Sequence, residues 1–189
     1  MKYLLVGVNG AGKTTLLDAI SRLKPEFEII RGSKELMNIM GIPGDYEALR
    51  AASPDVAHTH FETLLEQALK KKTDVILDCH ILNLVRGEAR DVSSSLMGKF
   101  DALLFLKTSP EIILQRIAGE NRERALFSDT ANAEGELSVL TDYARQYEAK
   151  AVELTKSYGI PLKILDGDRS PEENANTFIA FDASLRLHR

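Results

Sequence analysis

The sequence predicts an α/β sandwich, one parallel β-sheet covered by helices on both faces. Three observations predict it. Five short runs are apolar along their whole length, stretches with apolar residues at helical spacing lie between them, and a glycine-rich turn joins the first run to the first stretch. A strand buried on both faces reads as a continuous apolar run, whereas one with a face in water alternates. Strands that alternate with helices form βαβ units, which make the strands parallel.

The expected strands are Tyr3–Val6, Phe27–Ile30, Asp74–Leu77, Ala102–Leu106 and Leu162–Leu165. After the first, Leu16, Ala19, Ile20 and Leu23 stand at i, i+3, i+4 and i+7, an apolar helix stripe that Pro25 closes. Phe61, Leu64, Leu65, Ala68 and Leu69 repeat that spacing, and Leu140, Ala144, Tyr147, Ala151, Leu154 and Tyr158 form a longer stripe. Ser53-Pro54, Ser109-Pro110 and Ser170-Pro171 predict helix starts, because serine caps a free N–H and proline suits the first turn. Ser170 and Glu173 also have capping-box spacing. Two segments stand outside this alternation, about 31–53 with Gly32, Gly41, Pro43 and Gly44, and about 119–136, which is polar and carries Arg122 and Arg124. Both are expected to be flaps on one domain spanning 1–189.

Composition narrows the function classes. With 189 residues, 44% hydrophobic and 28% charged, the chain reads as one soluble globular domain. Its net charge of −4 argues against binding nucleic acid backbones. The single cysteine, Cys79, excludes an intrachain disulfide and a multi-cysteine zinc site. No run approaches the roughly 18 apolar residues that span a bilayer. The apolar N-terminus stops at Gly7, too soon for a secretory signal, so a cytoplasmic location is expected and no membrane partner. Monomer and homo-oligomer are both compatible with the sequence.

The strongest chemical signal is Gly7-Val8-Asn9-Gly10-Ala11-Gly12-Lys13-Thr14-Thr15, which matches the phosphate-loop pattern G-x-x-x-x-G-K-[ST] between a strand and a helix. Phosphate oxygens need successive backbone N–H groups turned toward them, and glycines permit that curl. The helix start adds the positive end of its dipole. Asn9 to Thr15 are thus the expected ATP-binding residues, with Lys13 bridging the β- and γ-phosphates and Thr14 holding Mg²⁺. Asp78, at the tip of the third strand, is placed to serve Mg²⁺ or its waters, or else to cap the following turn. His80 is either structural or part of the phosphate site, and Cys79 reads as a small buried hydrophobe. His58 and His60, two apart on a helix, diverge and do not form a metal pair. Lys70-Lys71-Lys72 suits a helix C-terminus. Arg116, Arg122 and Arg124 are candidate catalytic residues, because transfer spreads negative charge over three phosphoryl oxygens. A closing flap would also keep water out. Ser33 and Arg50, on the first flap, are candidates for holding an acceptor.

With these pieces placed, the chain resembles the nucleoside monophosphate kinases, archaeal-type adenylate kinase most closely. Gly7 to Thr15 resembles that family's phosphate loop, Asp45 to Arg50 with Ser53-Pro54-Asp55 its acceptor segment, Val75 to His80 its strand ending in Asp-Thr-His, and Arg116 to Arg124 its lid. Where the family continues with Thr-Pro, this chain has Ile81-Leu82-Asn83-Leu84-Val85-Arg86-Gly87, and Ala125 stands where an aspartate usually follows the lid arginines. Arg145 is a candidate for the family's late-helix arginine. The resemblance implies a P-loop three-layer sandwich with sheet order 2-3-1-4-5, an acceptor flap and a lid. It also implies transfer of the γ-phosphate of ATP, with Mg²⁺, to a nucleoside monophosphate, AMP first. Two other expectations stand beside it. One is a kinase for an alcohol or metabolite, with Asp78 receiving the hydroxyl proton. The other is a slow ATPase that acts through a partner.

Overall fold

The structure, a computed structural model, describes residues 1–119 and 133–188. Its centre is a parallel sheet of β1 (Lys2–Val6), β2 (Glu28–Arg31), β3 (Val75–Asp78), β6 (Ala102–Lys107) and β7 (Leu162–Asp166), in the order β2-β3-β1-β6-β7. Counting only these five strands, the order is 2-3-1-4-5, and each expected strand run forms one of them. Register places Leu4 beside Leu77 and Leu103, so all the central strands are apolar on both faces.

Alternation along β1 divides the core in two. Leu4 and Val6 point into a cluster with Leu77, Phe105, Leu65, Leu140 and Tyr147, under α4 (Pro54–Lys70) and α6 (Ala133–Tyr158). Tyr3 and Leu5 point the other way, to Leu16, Ile20, Ile76, Leu104 and Phe178, under α1 (Lys13–Leu23) and α7 (Pro171–Leu187). The three Ser-Pro pairs all open helices, Ser109 beginning α5 (Pro110–Ala118), and Ser170 and Glu173 make the reciprocal capping box.

The structure departs from the sequence reading in four places. Leu23 is 47% exposed, because α1 ends there and Leu17, fully buried, takes its place in the apolar face. The segment expected as the first flap holds two short helices, α2 (Gly32–Ile39) and α3 (Tyr46–Ala51), the second capped by Asp45. Of the segment expected as a lid, about 119–136, residues 133–136 form the first turn of α6, and residues 120–132, with Arg122 and Arg124, lie outside the described residues. Lastly, an antiparallel hairpin, β4 (Leu82–Val85) and β5 (Glu88–Asp91), follows β3 directly. Among the described residues, no helix is long and apolar enough to cross a membrane.

Candidate functional site

The phosphate loop leaves β1 at Gly7 and enters α1 at Lys13. Gly10 and Gly12 sit at φ +86 and +96, in the left-handed region that glycine adopts without strain. Three of the loop carbonyls, those of Val8, Ala11 and Gly12, are consumed inside the protein. That of Val8 accepts from the Ala11 N–H (3.0 Å), and that of Gly12 from the Leu16 N–H (3.1 Å). The Ala11 carbonyl accepts from the Thr108 hydroxyl and from Arg116 Nη1, both at 2.9 Å. Among the described residues the N–H groups of Gly10, Gly12 and Thr14 donate no hydrogen bond. The loop therefore keeps backbone donors free for an anion, a cradle of the kind phosphate oxygens need.

Lys13 is buried; its Nζ donates to the Gly7 carbonyl at 2.9 Å and stands 3.8 Å from Asp78 Oδ1. That contact exists because β3 pairs with β1, Asp78 opposite Leu5, so the strand tip stops beside the loop. Burial pushes the Asp78 carboxyl above the ordinary carboxylate range, while Lys13 and Arg31 pull it back. Burial also pushes up the Cys79 thiol, which keeps it protonated and unreactive. Gly32, just beyond the tip of β2, is held by close approach. A Cβ there would meet the Asp78 carbonyl oxygen at 2.0 Å.

A tyrosine from α6 ties this corner together. The Tyr147 hydroxyl accepts from the N–H of Gly7 (3.2 Å) and of Ile81 (3.3 Å), joining the start of the loop to the segment after His80. One turn before it, Tyr143 donates its hydroxyl to the Leu82 carbonyl at 2.7 Å. Sequence reasoning placed Tyr147 on an apolar stripe and missed Tyr143; helical spacing shows a buried face but not what a hydroxyl on it reaches.

Loop, strand tip and the short helices α2 and α3 line one cleft of about 1820 Å³. Asn9 to Thr15, Ser33, Asp78, His80 and Arg116 all line it, so it brings together most of the residues singled out from sequence. Arg116 is tied down there, its Nη1 to Ala11 and its Nη2 to the Gly167 carbonyl (3.2 Å), bracing the loop against the turn after β7. Arg50 lies on α3. Arg145 does not reach the cleft; it is exposed and pairs with Asp142. The hairpin supplies lining residues that sequence reasoning missed, Asn83, Val85, Arg86 and Arg90. Two buried leucines, Leu82 and Leu84, ahead of an Arg-Gly turn were the available signal.

No curated protein matches the sequence. Among solved structures, the fold is similar to shikimate kinase from Acinetobacter baumannii in complex with shikimate (TM-score 0.68, 16% identity, 98% of this chain and 94% of that one). It is similar also to shikimate kinase from Bacteroides thetaiotaomicron (0.67, 16%, 96% and 97%). Deoxyadenosine kinase from M. mycoides with bound dATP aligns with a TM-score of 0.57 at 14% identity, over 95% of this chain and 98% of that one. A family model described as AAA domain matches residues 3–149, which include the phosphate loop, the Asp78 strand tip and the hairpin. With the fold of the P-loop kinases around that loop, the chain belongs to the AAA domain family.

Proposed function

We propose that the protein is an ATP-dependent phosphotransferase that moves the γ-phosphate of ATP to a small acceptor. The observation that carries this reading is the cleft. At about 1820 Å³ it exceeds the roughly 300–1,000 Å³ of a site for one small molecule. It runs from the phosphate loop to the flap and the hairpin, so it has room for a donor and an acceptor together. A slow ATPase working through a partner needs the loop but not the second half.

The donor half lies on the β6–β7 side of β1. There the loop N–H groups from Asn9 to Thr15 hold the triphosphate, and Arg116 and Gly167 border the nucleotide's far end. Mg²⁺ fits the residues present. Thr14 is exposed beside the loop, and Asp78 Oδ1 is buried with no hydrogen bond among the described residues, so both are hard oxygen donors. When bound, the ion supplies neutralising charge to the phosphates. Lys13, a short reach from the loop, stabilises the charge that develops on the transferred group, with Arg116, Arg122 and Arg124 as further cations. The acceptor half lies on the β2–β3 side, with Ser33, Arg50 and His80.

The acceptor is a hydroxyl compound. Its oxygen must lose a proton on attack, and Asp78, beside Lys13, is the carboxylate placed to take it. A nucleoside monophosphate such as AMP is the second reading, favoured by the resemblance of the Asp45–Arg50 segment, and its oxygens need no base. The test measures ADP formation from Mg-ATP with separate hydroxyl acceptors and nucleoside monophosphates, against Lys13→Ala and Asp78→Asn. Turnover of a hydroxyl compound is expected, reduced about 100-fold or more by Lys13→Ala and by roughly 10²–10⁴ in Asp78→Asn. Turnover of AMP but of no hydroxyl compound selects the second reading. Slow ATP loss in every well overturns both.

A further inference from the structure

We infer that the β4–β5 hairpin is an anion-binding device, and that the acceptor carries a carboxylate or phosphate group gripped by Arg90 and Arg86. The inference rests on the phosphotransfer reading above and names the chemical class of its acceptor.

The hairpin is amphipathic across its thickness. Leu82 and Leu84 are 7% and 5% exposed and face the core under α6. The opposite face carries Asn83 and Arg90, which are cross-strand partners and so stand side by side. Arg86 occupies the turn. All three line the cleft that also holds Lys13, Asp78 and His80. Glu88 shares that face but does not line the cleft.

The two guanidiniums differ from the other described arginines. Arg22, Arg31, Arg145, Arg169 and Arg186 each pair with a carboxylate, and Arg116 donates to two carbonyls. Among the described residues whose side chains are placed, Arg86 and Arg90 are the arginines with no such partner, and both face the same cavity. A guanidinium presents a planar fork of donors that matches the two oxygens of a carboxylate or phosphate.

The hairpin also presents them rigidly. Tyr143 holds the Leu82 carbonyl at 2.7 Å, Tyr147 takes the Ile81 N–H, and Lys150 pairs with Asp91 at 2.8 Å, so α6 clamps both strands. Arg86 itself sits at φ +49, the one non-glycine residue with positive φ among those described. Followed by Gly87 at φ +84, it forms the tight two-residue turn that such hairpins require. Asparagine or glycine would occupy that position with less strain, so the turn alone does not account for an arginine there. Clamped groups lose little freedom on binding, which favours affinity and register.

The test uses the full chain and matched acceptors that differ in the anionic group, glycerol against glycerate and glycerol phosphate, and nucleosides and sugars against their monophosphates. ADP formation is expected with the anionic members, the carboxylate and phosphate arms telling the two sources apart. Arg90→Ala is expected to raise the acceptor KM about ten- to a hundredfold with the KM for ATP unchanged, Arg90→Lys to restore part of it, and Arg86→Ala to act in the same direction. Neutral members turned over as well as the anionic ones, or an acceptor KM indifferent to both alanine variants, overturns the inference while leaving phosphotransfer standing. If no acceptor is turned over, glycerate and glycerol phosphate are titrated calorimetrically into protein whose phosphate loop is filled with a non-hydrolysable Mg-ATP analogue. Binding that Arg86→Ala and Arg90→Ala abolish supports the anion site, and its absence in the wild type refutes it.

Discussion

Replacing Tyr147 by phenylalanine removes one oxygen from the junction between the phosphate loop and the Asp78 strand. The ring stays, and with it the stacking on Phe105 at 5.9 Å and the edge contact with Tyr143 at 5.8 Å, so no cavity opens. What is lost is the acceptor of two buried N–H groups, those of Gly7 and Ile81. An abandoned buried donor costs about 1–3 kcal/mol. The bonds here, at 3.2 and 3.3 Å, are longer than the usual 2.9–3.0 Å for N–H···O. The low end applies to each, giving about 2 kcal/mol in total. With a urea slope of about 2 kcal/mol/M, the unfolding midpoint should fall by about 1 M, and Tm by about 4–8 °C. Urea titration followed by circular dichroism reads the first quantity. Amide hydrogen exchange at Gly7 and Ile81 reads the cause, both amides exchanging faster in the variant. A midpoint within about 0.2 M of wild type, with both amides as protected as before, would refute the claim that this hydroxyl holds the two segments together.

Gly32→Ala should be poorly tolerated, because its Cβ would stand 2.0 Å from the Asp78 carbonyl oxygen and backbone cannot yield as a side chain does. A loss of about 1–3 kcal/mol in chemical denaturation is expected, together with reduced turnover; a variant as stable and active as wild type would contradict the close approach of β2 and β3. Acid should loosen the hairpin. Burial raises the Asp91 carboxyl, but Lys150 and Ser93 outweigh it and hold it below the ordinary aspartate value. Its contribution is therefore present above that value and fades as pH falls through the lowered one. Asp78 has the opposite sign, since its raised carboxyl is relieved by protonation as pH falls. Asp91→Asn should lower stability at neutral pH and flatten the acid decline seen in thermal melts; a parallel pH curve would exclude Asp91 as a contributor.

The parts of this molecule legible in the sequence are those set by local pattern. Five apolar runs gave five strands because a parallel strand buried on both faces has no polar side to disguise it. Gly7 to Thr15 was readable because curl, charge and hydroxyl are all required within one short stretch. Ser53-Pro54 and Ser170-Pro171 were readable because capping is a contact between near neighbours, whereas Ser109 opens its helix without a side-chain cap. The hairpin was not legible. Its strands are four residues each, and its turn carries arginine where asparagine or aspartate is the usual signal. The bridge from Tyr147 to Gly7 and Ile81 was invisible for another reason, as its partners are brought together only by the fold. Leu23 fitted the helix stripe but fell at the last residue of α1, where it is exposed.

The position of β1 between β3 and β6 has a consequence for how such a chain can diversify. On the proposed reading, donor contacts come from β1, α1 and the segments beside β6 and β7, whereas acceptor contacts come from the stretch between residues 32 and 91. In sequence the acceptor stretch is one continuous piece between donor segments, and in space its strands β2 and β3 lie on one side of β1. Change within the central stretch can re-aim the enzyme at a new acceptor without disturbing the nucleotide, and the hairpin, closed on itself by one turn and fastened by a single helix, is the piece most easily exchanged as a unit.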